Sequence, residues 1–200
     1  FTVPPNVLAV LEGEAAVQSG CVACHAVGRP NEDGSIGSCT QCHARHQASV
    51  ALARQPRTCG QCHMGPDHSQ MEIYEESKHG VIFEAMESEM NLGAPPDELG
   101  VEDMPVPTCS TCHMSGLEGA EVTHDVSARL SWYLFAPVSE RRPTYQQGQA
   151  EMQAICNICH TSSQTESFYE SAEAVIRDTN AKVSAAQALV DSLYAEGLLT

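Results

Sequence analysis

The stretch CGQCHMGPDHSQ, residues 59–70, contains a cofactor-attachment motif and a second histidine close behind it. Cys59, Cys62 and His63 form a C-x-x-C-H motif, which is typical of covalent haem attachment. His68 follows after a Gly-Pro break that should redirect the chain. Three roles are open for His68: axial ligand of a haem iron, proton carrier, or solvent-facing side chain.

The same motif occurs five times and accounts for all ten cysteines. Two thiols three positions apart can reach two vinyl groups on one edge of a porphyrin, and the next histidine then binds iron as the proximal ligand. The motifs therefore predict five covalently bound haems c, each with one iron. The attachment cysteines are Cys21, Cys24, Cys39, Cys42, Cys59, Cys62, Cys109, Cys112, Cys156 and Cys159. The proximal ligands are His25, His43, His63, His113 and His160.

Other uses of C-x-x-C pairs fit this pattern less well. Zinc sites take four ligands and do not require a histidine after the second cysteine. Disulfides need no histidine, and redox C-x-x-C motifs occur singly in a βαβ setting that this sequence does not show. Because all five copies carry the histidine, haem is favoured over zinc, disulfide and thiol redox chemistry.

The composition limits the partners and the compartment. The 200 residues carry a formal net charge of -16, so the basic face that nucleic acid or an anionic membrane requires is not expected. No apolar run is long enough for a transmembrane helix. Residues 1–5 show no signal peptide and look like a processed start or the edge of a fragment. Because covalent haem attachment occurs outside the cytoplasm, we expect an exported, periplasmic or extracellular protein.

The hydrophobic spacing predicts helices and coil with almost no strand. Residues 29–38 are rich in Gly, Pro, Ser and Asn and predict loops around haems. Residues 69–92 predict a helix that Gly80 interrupts, and the acidic, proline-rich residues 93–108 predict a surface loop. The expected fold is all-α with extensive coil, a multihaem cytochrome c organised around five haems.

A long helix is predicted near the C-terminal end. No Pro or Gly occurs from residue 163 to 196, and apolar residues recur with helical spacing, so one long helix or a broken pair should end at Gly197. Its apolar stripe is expected to face a core, with packing on another subunit as the alternative. We therefore expect a five-haem domain, residues 1–160, and a C-terminal helical segment, residues 161–200, packing on that domain or on a neighbouring subunit.

Each low-spin haem takes two axial ligands, and only four histidines remain outside the motifs. Of these, His46, His79 and His124 are the expected distal ligands, and His68 is a further candidate. His46 lies three residues after His43 and cannot span to the opposite face of that haem, so it should serve a neighbouring one. Three methionines could also bind iron but are expected to pack instead: Met71, Met86 and Met90.

The order of these motifs resembles the octahaem hydroxylamine oxidoreductase family, from about Gly20 to Leu199. The resemblance rests on CTQCHARH (39–46), CGQCHMGPDH (59–68), SKHG (77–80), PTC (107–109), HM (113–114), TH (123–124), RLSW (129–132) and the final YAEGLLT (194–200).

The chain is similar to the last five haem sites of that family. The resemblance implies that the first motif holds the catalytic haem, whose distal side is open to substrate. It implies distal ligation by the three histidines named above, and an acid–base pair formed by Asp67 and His68 beside the catalytic haem. The family's three N-terminal haem sites, and the C-terminal region with a tyrosine that cross-links the catalytic haem, have no counterpart here.

Two functions follow from these features. Five haems in 200 residues favour electron transfer through closely spaced haems, continued between subunits if one supplies a missing ligand. The alternative is an enzyme acting on hydroxylamine, hydrazine or nitrite at the first haem. We expect redox partner proteins, other cytochromes among them, and assembly into a homo-oligomer or a filament.

Overall fold

A computed structural model describes Pro30, Gly34 and residues 36–43, 46–66, 69–134 and 138–199. The chain divides into two compact units, Phe1–Ala128 and Arg129–Thr200. The second, third and fourth motifs therefore belong to one unit and the fifth motif to the other. The predicted division at residue 160 separates haem-bearing residues from the rest and stays a prediction.

The described helices of the first unit are short, and polar side chains cap several of them. The Ser49 hydroxyl accepts a hydrogen bond from Leu52 N, and Ser77 accepts one from Gly80 N. The helices are α1 (Cys39–Cys42), α2 (Val50–Ala53), α3 (Pro56–Gly60), α4 (Gln70–Glu76), α5 (Lys78–Met86) and α6 (Cys109–His113). Glu87–Glu89 and Leu117–Gly119 form 3₁₀ turns.

The segment predicted as one helix over residues 69–92 is helical but breaks at Ser77 rather than at Gly80. Ser77 has an extended backbone (φ -73°, ψ 161°), ends α4 and caps α5. Gly80 is helical and buried, and a Cβ there would collide with the Tyr74 carbonyl oxygen. Gly80 is therefore needed for the close approach of the two helices.

The prediction of a surface loop for residues 93–108 is wrong for its apolar side chains. Leu99, Met104 and Val106 are at most 2% exposed and form much of the core of this unit. Asp103 closes the loop by accepting hydrogen bonds from Gly100 N and Asn91 Nδ2, which lower the pKa of its carboxyl group. The acidic residues stay at the surface while the apolar ones between them turn inward.

Arg54 holds the start of this loop in place through two hydrogen bonds to backbone carbonyl groups. Its Nη1 donates to Leu92 O at 2.8 Å and to Ala94 O at 2.6 Å, and the residue is only 6% exposed. Burial lowers the pKa of Arg54, and the charge of nearby Asp103 offsets part of this decrease. A buried arginine thus satisfies two carbonyl groups that no regular secondary structure would satisfy.

The second unit contains a short hairpin and two helices. Strands β1 (Trp132–Tyr133) and β2 (Glu140–Arg141) pair antiparallel, with Trp132 opposite Arg141. They are followed by α7 (Tyr145–Cys156) and α8 (Ser162–Ala195). The Arg141 guanidinium lies 4.2 Å from the Trp132 ring centroid and 4.3 Å from that of Tyr145. It also pairs with Glu173 of α8 at 2.6 Å, so one cation ties the hairpin to both helices.

The long C-terminal helix is confirmed as a single element. Thr161 caps its start by accepting a hydrogen bond from Gln164 N, and Gly197 follows its end with φ +71°. The expectation of a core-facing stripe is not met within this unit, because Thr165 is the only residue of α8 described as buried. Five large apolar side chains of the helix are exposed: Phe168, Val175, Leu189, Val190 and Tyr194.

None of the described helices has the length and the apolar content needed to cross a membrane.

Replacing Arg54 with Met should lower the free energy of unfolding by about 2–3 kcal/mol, because two buried carbonyl groups lose a charged donor. Arg57→Met is the matched control: the Arg57 side chain is 68% exposed and its ion pair with Glu87 spans 3.9 Å, so its loss should cost below about 0.5 kcal/mol. Guanidinium chloride unfolding of the purified protein measures both. Equal midpoints for the two variants would contradict the role assigned to Arg54.

Candidate haem-binding sites

The described motifs share one local backbone geometry. The histidine N–H donates to the carbonyl oxygen of the first cysteine at 2.8 Å in the second motif, 3.0 Å in the third and 2.9 Å in the fifth. This is one helical turn, which puts two thiols and an imidazole on the same side of the backbone. The fourth motif is itself helix α6. The first motif, with Cys21, Cys24 and His25, lies outside the described residues.

The side chains in these motifs fit haem c better than a bare metal ion. None of the eight described cysteines forms a disulfide. Among the described residues no group of three or more His, Cys, Asp or Glu could hold a metal ion. His43 Nδ1 lies 3.2 Å from the Ser49 carbonyl oxygen, which can only accept, so the proton belongs on Nδ1 and leaves Nε2 for iron. Haem would supply one-electron redox chemistry at each such site.

Three attachment sites meet around helix α3. The Cys59 and Cys109 thiols, from the third and fourth motifs, are close enough to perturb each other, and their interaction raises the pKa of Cys59 and lowers that of Cys109. The charges of Cys42 and Cys62 also act on Cys59. Helix α3 packs against both α1 and α6. Cysteines from three separate motifs are therefore neighbours in space.

Tyr74 joins the fourth motif to the helix before the distal candidate His79. Its hydroxyl donates to Pro107 O at 3.0 Å, and its ring packs edge-to-face on Phe83 with 6.4 Å between centroids. Burial raises the pKa of Tyr74, and the nearby Cys109 and Cys112 raise it further. Sequence reasoning missed this residue, because a tyrosine in a helical stretch carries no motif.

The distal candidates occupy exposed positions close to motif-bearing segments. His79 is exposed in the first turn of α5. His124 is exposed, and its neighbour Thr123 donates from its backbone N to Met114 O at 3.0 Å, directly after the fourth motif. His46 is exposed in a turn after the second motif. Iron ligation by these three histidines stays a prediction.

Asp67 and His68 lie outside the described residues, but the chain on both sides of them is fixed. Met71 N donates to His63 O at 2.9 Å, and Gly65 N donates to Glu72 Oε1 at 2.8 Å. Gly65 has φ +94°, a conformation that favours glycine. Glu72 was not among the sequence-predicted site residues, and its only sequence signal is an acidic side chain in the first turn of a helix.

A comparison with protein families shows to which class of protein this chain belongs. Residues 3–200 match the family model described as "Seven times multi-haem cytochrome CxxCH". This chain belongs to that family. It is a multihaem cytochrome, and the sequence itself contains five of the motifs.

The relatives of this cytochrome support the resemblance to hydroxylamine oxidoreductases. A "Probable nitrite reductase-hydroxylamine oxidoreductase fusion protein" from Kuenenia stuttgartiensis is 27% identical over 86% of this chain and 24% of its own length. A solved "reducing HAO-like protein complex" from the same organism is 28% identical with a TM-score of 0.70, covering 91% of this chain and 39% of that one. The resemblance is thereby confirmed.

A second solved structure, a "Hypothetical multiheme protein", shows the same fold. Its TM-score is 0.81 at 24% identity, covering 95% of this chain and 57% of that one. The predicted all-α multihaem fold is thereby confirmed. The chain spans about a quarter of the curated relative, so the activity of the whole relative is not carried over.

If His79 is a distal ligand as predicted, replacing it with Ala should leave one haem iron of the multihaem cytochrome five-coordinate. The ferric form of that haem should then become high-spin. Lys78→Ala, one position earlier on the same exposed turn, should leave the spectrum unchanged. Electron paramagnetic resonance of the ferric holoprotein measures the high-spin fraction, and intact mass should give the same haem content as the wild type for both variants. A His79→Ala spectrum identical to the wild type would rule out ligation by His79.

Proposed function

We propose that this multihaem cytochrome carries electrons through five closely spaced haems c in the periplasm or outside the cell. The observation that carries the proposal is the meeting of three attachment sites around α3, which packs against both α1 and α6 and brings the Cys59 and Cys109 thiols close together. Thioether bonds at these cysteines would bring the edges of two haems together. Short separation between cofactors is what fast electron transfer requires.

The charge of the chain indicates the kind of redox partner. A net charge of -16, to which haem propionates add, favours partners that present a basic docking patch. Other cytochromes are the partner class that fits this role. Electrostatic steering of this kind predicts association that weakens as salt concentration rises.

The exposed apolar side chains of α8 support assembly with further copies. Phe168 is 71% exposed, Val175 65% and Leu189 62%, although helices with an apolar stripe normally bury it. We therefore place α8 against a neighbouring subunit, in a homo-oligomer or a filament. Light scattering of the holoprotein checks this, and a monomer at micromolar concentration would exclude it.

Electron exchange among the haems should be intramolecular and fast. A reductant pulse that delivers less than one electron per chain should be followed by redistribution among haems at a rate independent of protein concentration. Absorbance in the haem bands follows this redistribution, and differences in potential between haems make it visible. Redistribution that slows in proportion to dilution would show that the haems exchange electrons only by collision, and would contradict the proposal.

The second candidate function is catalysis on hydroxylamine, hydrazine or nitrite at the first haem. The hydrogen bonds of Gly65 and Met71, on either side of Asp67 and His68 in the sequence, favour it, because a proton-transfer pair needs a well-positioned chain around it. The name of the Kuenenia relative joins nitrite reductase and hydroxylamine oxidoreductase activities. Histidine ordinarily titrates near neutral pH, which suits it to proton transfer beside an iron with one open position.

If this second function holds, the purified protein should turn over hydroxylamine or nitrite with artificial electron carriers, faster than the same concentration of free haem. His68→Ala should then lower the rate by about 10²–10⁴-fold, the usual effect of losing a general acid or base. Lys78→Ala provides the comparison, since it removes an exposed side chain that is not expected to bind iron. No turnover above free haem would exclude catalysis while leaving electron transfer intact.

A further inference from the structure

Glu72 places a carboxylate beside the third haem-attachment motif. Its Oε1 accepts the hydrogen bond from Gly65 N at 2.8 Å. Gly65 follows His63 by two residues, so its N–H stays within about 7 Å of the backbone of the proximal ligand. The carboxylate is therefore tied to the segment that leaves the third motif.

The position of Glu72 is determined by packing as well as by that bond. The preceding residue, Met71, donates from its N to His63 O at 2.9 Å. The Met71 side chain covers Gly60 so closely that a Cβ on Gly60 would lie 2.9 Å from the Met71 sulfur. Helix α4 thus begins in contact with the third motif, and Glu72 cannot move away without breaking these contacts.

Among the described residues, little compensates the charge on this carboxylate. Glu72 Oε2 is buried and accepts no hydrogen bond from the described residues. The ion pairs found among those residues join Arg57 with Glu87, Arg129 with Glu151 and Arg141 with Glu173, and none includes Glu72. Burying one oxygen of a carboxylate without a donor is costly for folding. A neutral glutamine could accept the Gly65 hydrogen bond equally well, so the negative charge is the property that glutamate adds.

We propose that Glu72 lowers the reduction potential of the haem held by Cys59, Cys62 and His63. An anion near the iron stabilises the ferric form, which carries one more positive charge than the ferrous form. Reduction adds one electron to the iron and leaves all bonds in place. The inference rests on the proposed electron-transfer function and identifies one residue that sets the order of potentials along the haems.

The size of the effect follows from Coulomb's law. If the carboxylate lies on the order of 10 Å from the iron, Coulomb's law at an effective dielectric constant of about 20 gives a change in the equilibrium for reduction on the order of tenfold. For a one-electron step, tenfold corresponds to about 59 mV. Glu72→Gln should therefore raise the equilibrium constant for reduction of one haem on the order of tenfold. In the potentiometric titration this appears as a shift of one component to higher potential.

The test is a redox titration of three fully loaded holoproteins: the wild type, Glu72→Gln and Glu75→Gln. Glu75 is exposed on the same helix, so solvent screens its charge and its removal should leave the titration unchanged. Intact mass and the high-spin fraction are measured on all three, so that loss of a haem or of a ligand is recognised separately. A Glu72→Gln curve that superimposes on the wild type would overturn the proposal.

A double-mutant comparison assigns the effect to the third haem. In a Cys59→Ala/Cys62→Ala background, which lacks that covalent haem, the Glu72→Gln shift should disappear. A shift of the same size in that background would place the effect on another haem and overturn the assignment. These measurements need neither turnover nor a partner, so they remain valid if the pulse-reduction experiment rejects rapid electron exchange.

Discussion

Covalent haem attachment requires two thiols and an axial imidazole on one helical turn, and the rest of the structure is arranged around that requirement. The histidine N–H to cysteine carbonyl bond recurs at 2.8–3.0 Å in three described motifs. A short helix satisfies the motif but leaves most of its own terminal groups without intrahelical partners. Helices α1, α3 and α6 are only four or five residues long. Side chains from other segments must therefore complete their hydrogen bonding.

Backbone groups between and beside the short helices need partners as well, and this explains why polar residues are buried in this cytochrome. Arg54 serves carbonyl groups at Leu92 and Ala94, and the Thr58 hydroxyl donates to Leu52 O at 2.6 Å. In the fourth motif, the Thr108 N–H donates to the Thr111 hydroxyl, and the two hydroxyls lie 3.2 Å apart. Arg54, Thr58, Thr108 and Thr111 are each at most 6% exposed. When much of a chain consists of haem-attachment motifs and loops, few long helices are left to build a core. Hydrogen bonds from buried polar side chains therefore hold the loops in place.

The parts of this fold that could be predicted are those set by local chemistry. The haem motifs follow from residue spacing, and helix α8 follows from a long stretch without Pro or Gly. The break at Ser77 was missed because a serine can cap a helix as readily as it can occupy its surface, and the neighbouring glycine was the more familiar breaker. The burial of Leu99, Met104 and Val106 was missed because acidic and proline-rich composition describes the exposed half of that loop. Tyr74 hydrogen-bonds to Pro107 and Glu72 to Gly65. Both contacts join separate segments of the chain, so no local sequence pattern predicts them. The ligand roles of His46, His79 and His124 stay predictions, since the protein contacts alone leave these side chains exposed.

The strongly acidic surface and the buried carboxylate of Glu72 act over different distances. Charges on the surface are screened beyond about 8 Å at physiological ionic strength, so most of the net charge of -16 influences docking rather than individual irons. A carboxylate with one buried oxygen escapes much of that screening and acts on the site beside it. Changing a surface glutamate should therefore alter the salt dependence of partner association and leave the potentials in place. Changing Glu72 should instead alter a potential and leave the salt dependence of association in place, because its charge is held against the third motif by Gly65 and Met71. The two kinds of acidic residue thus separate the choice of partner from the order in which electrons occupy the haems.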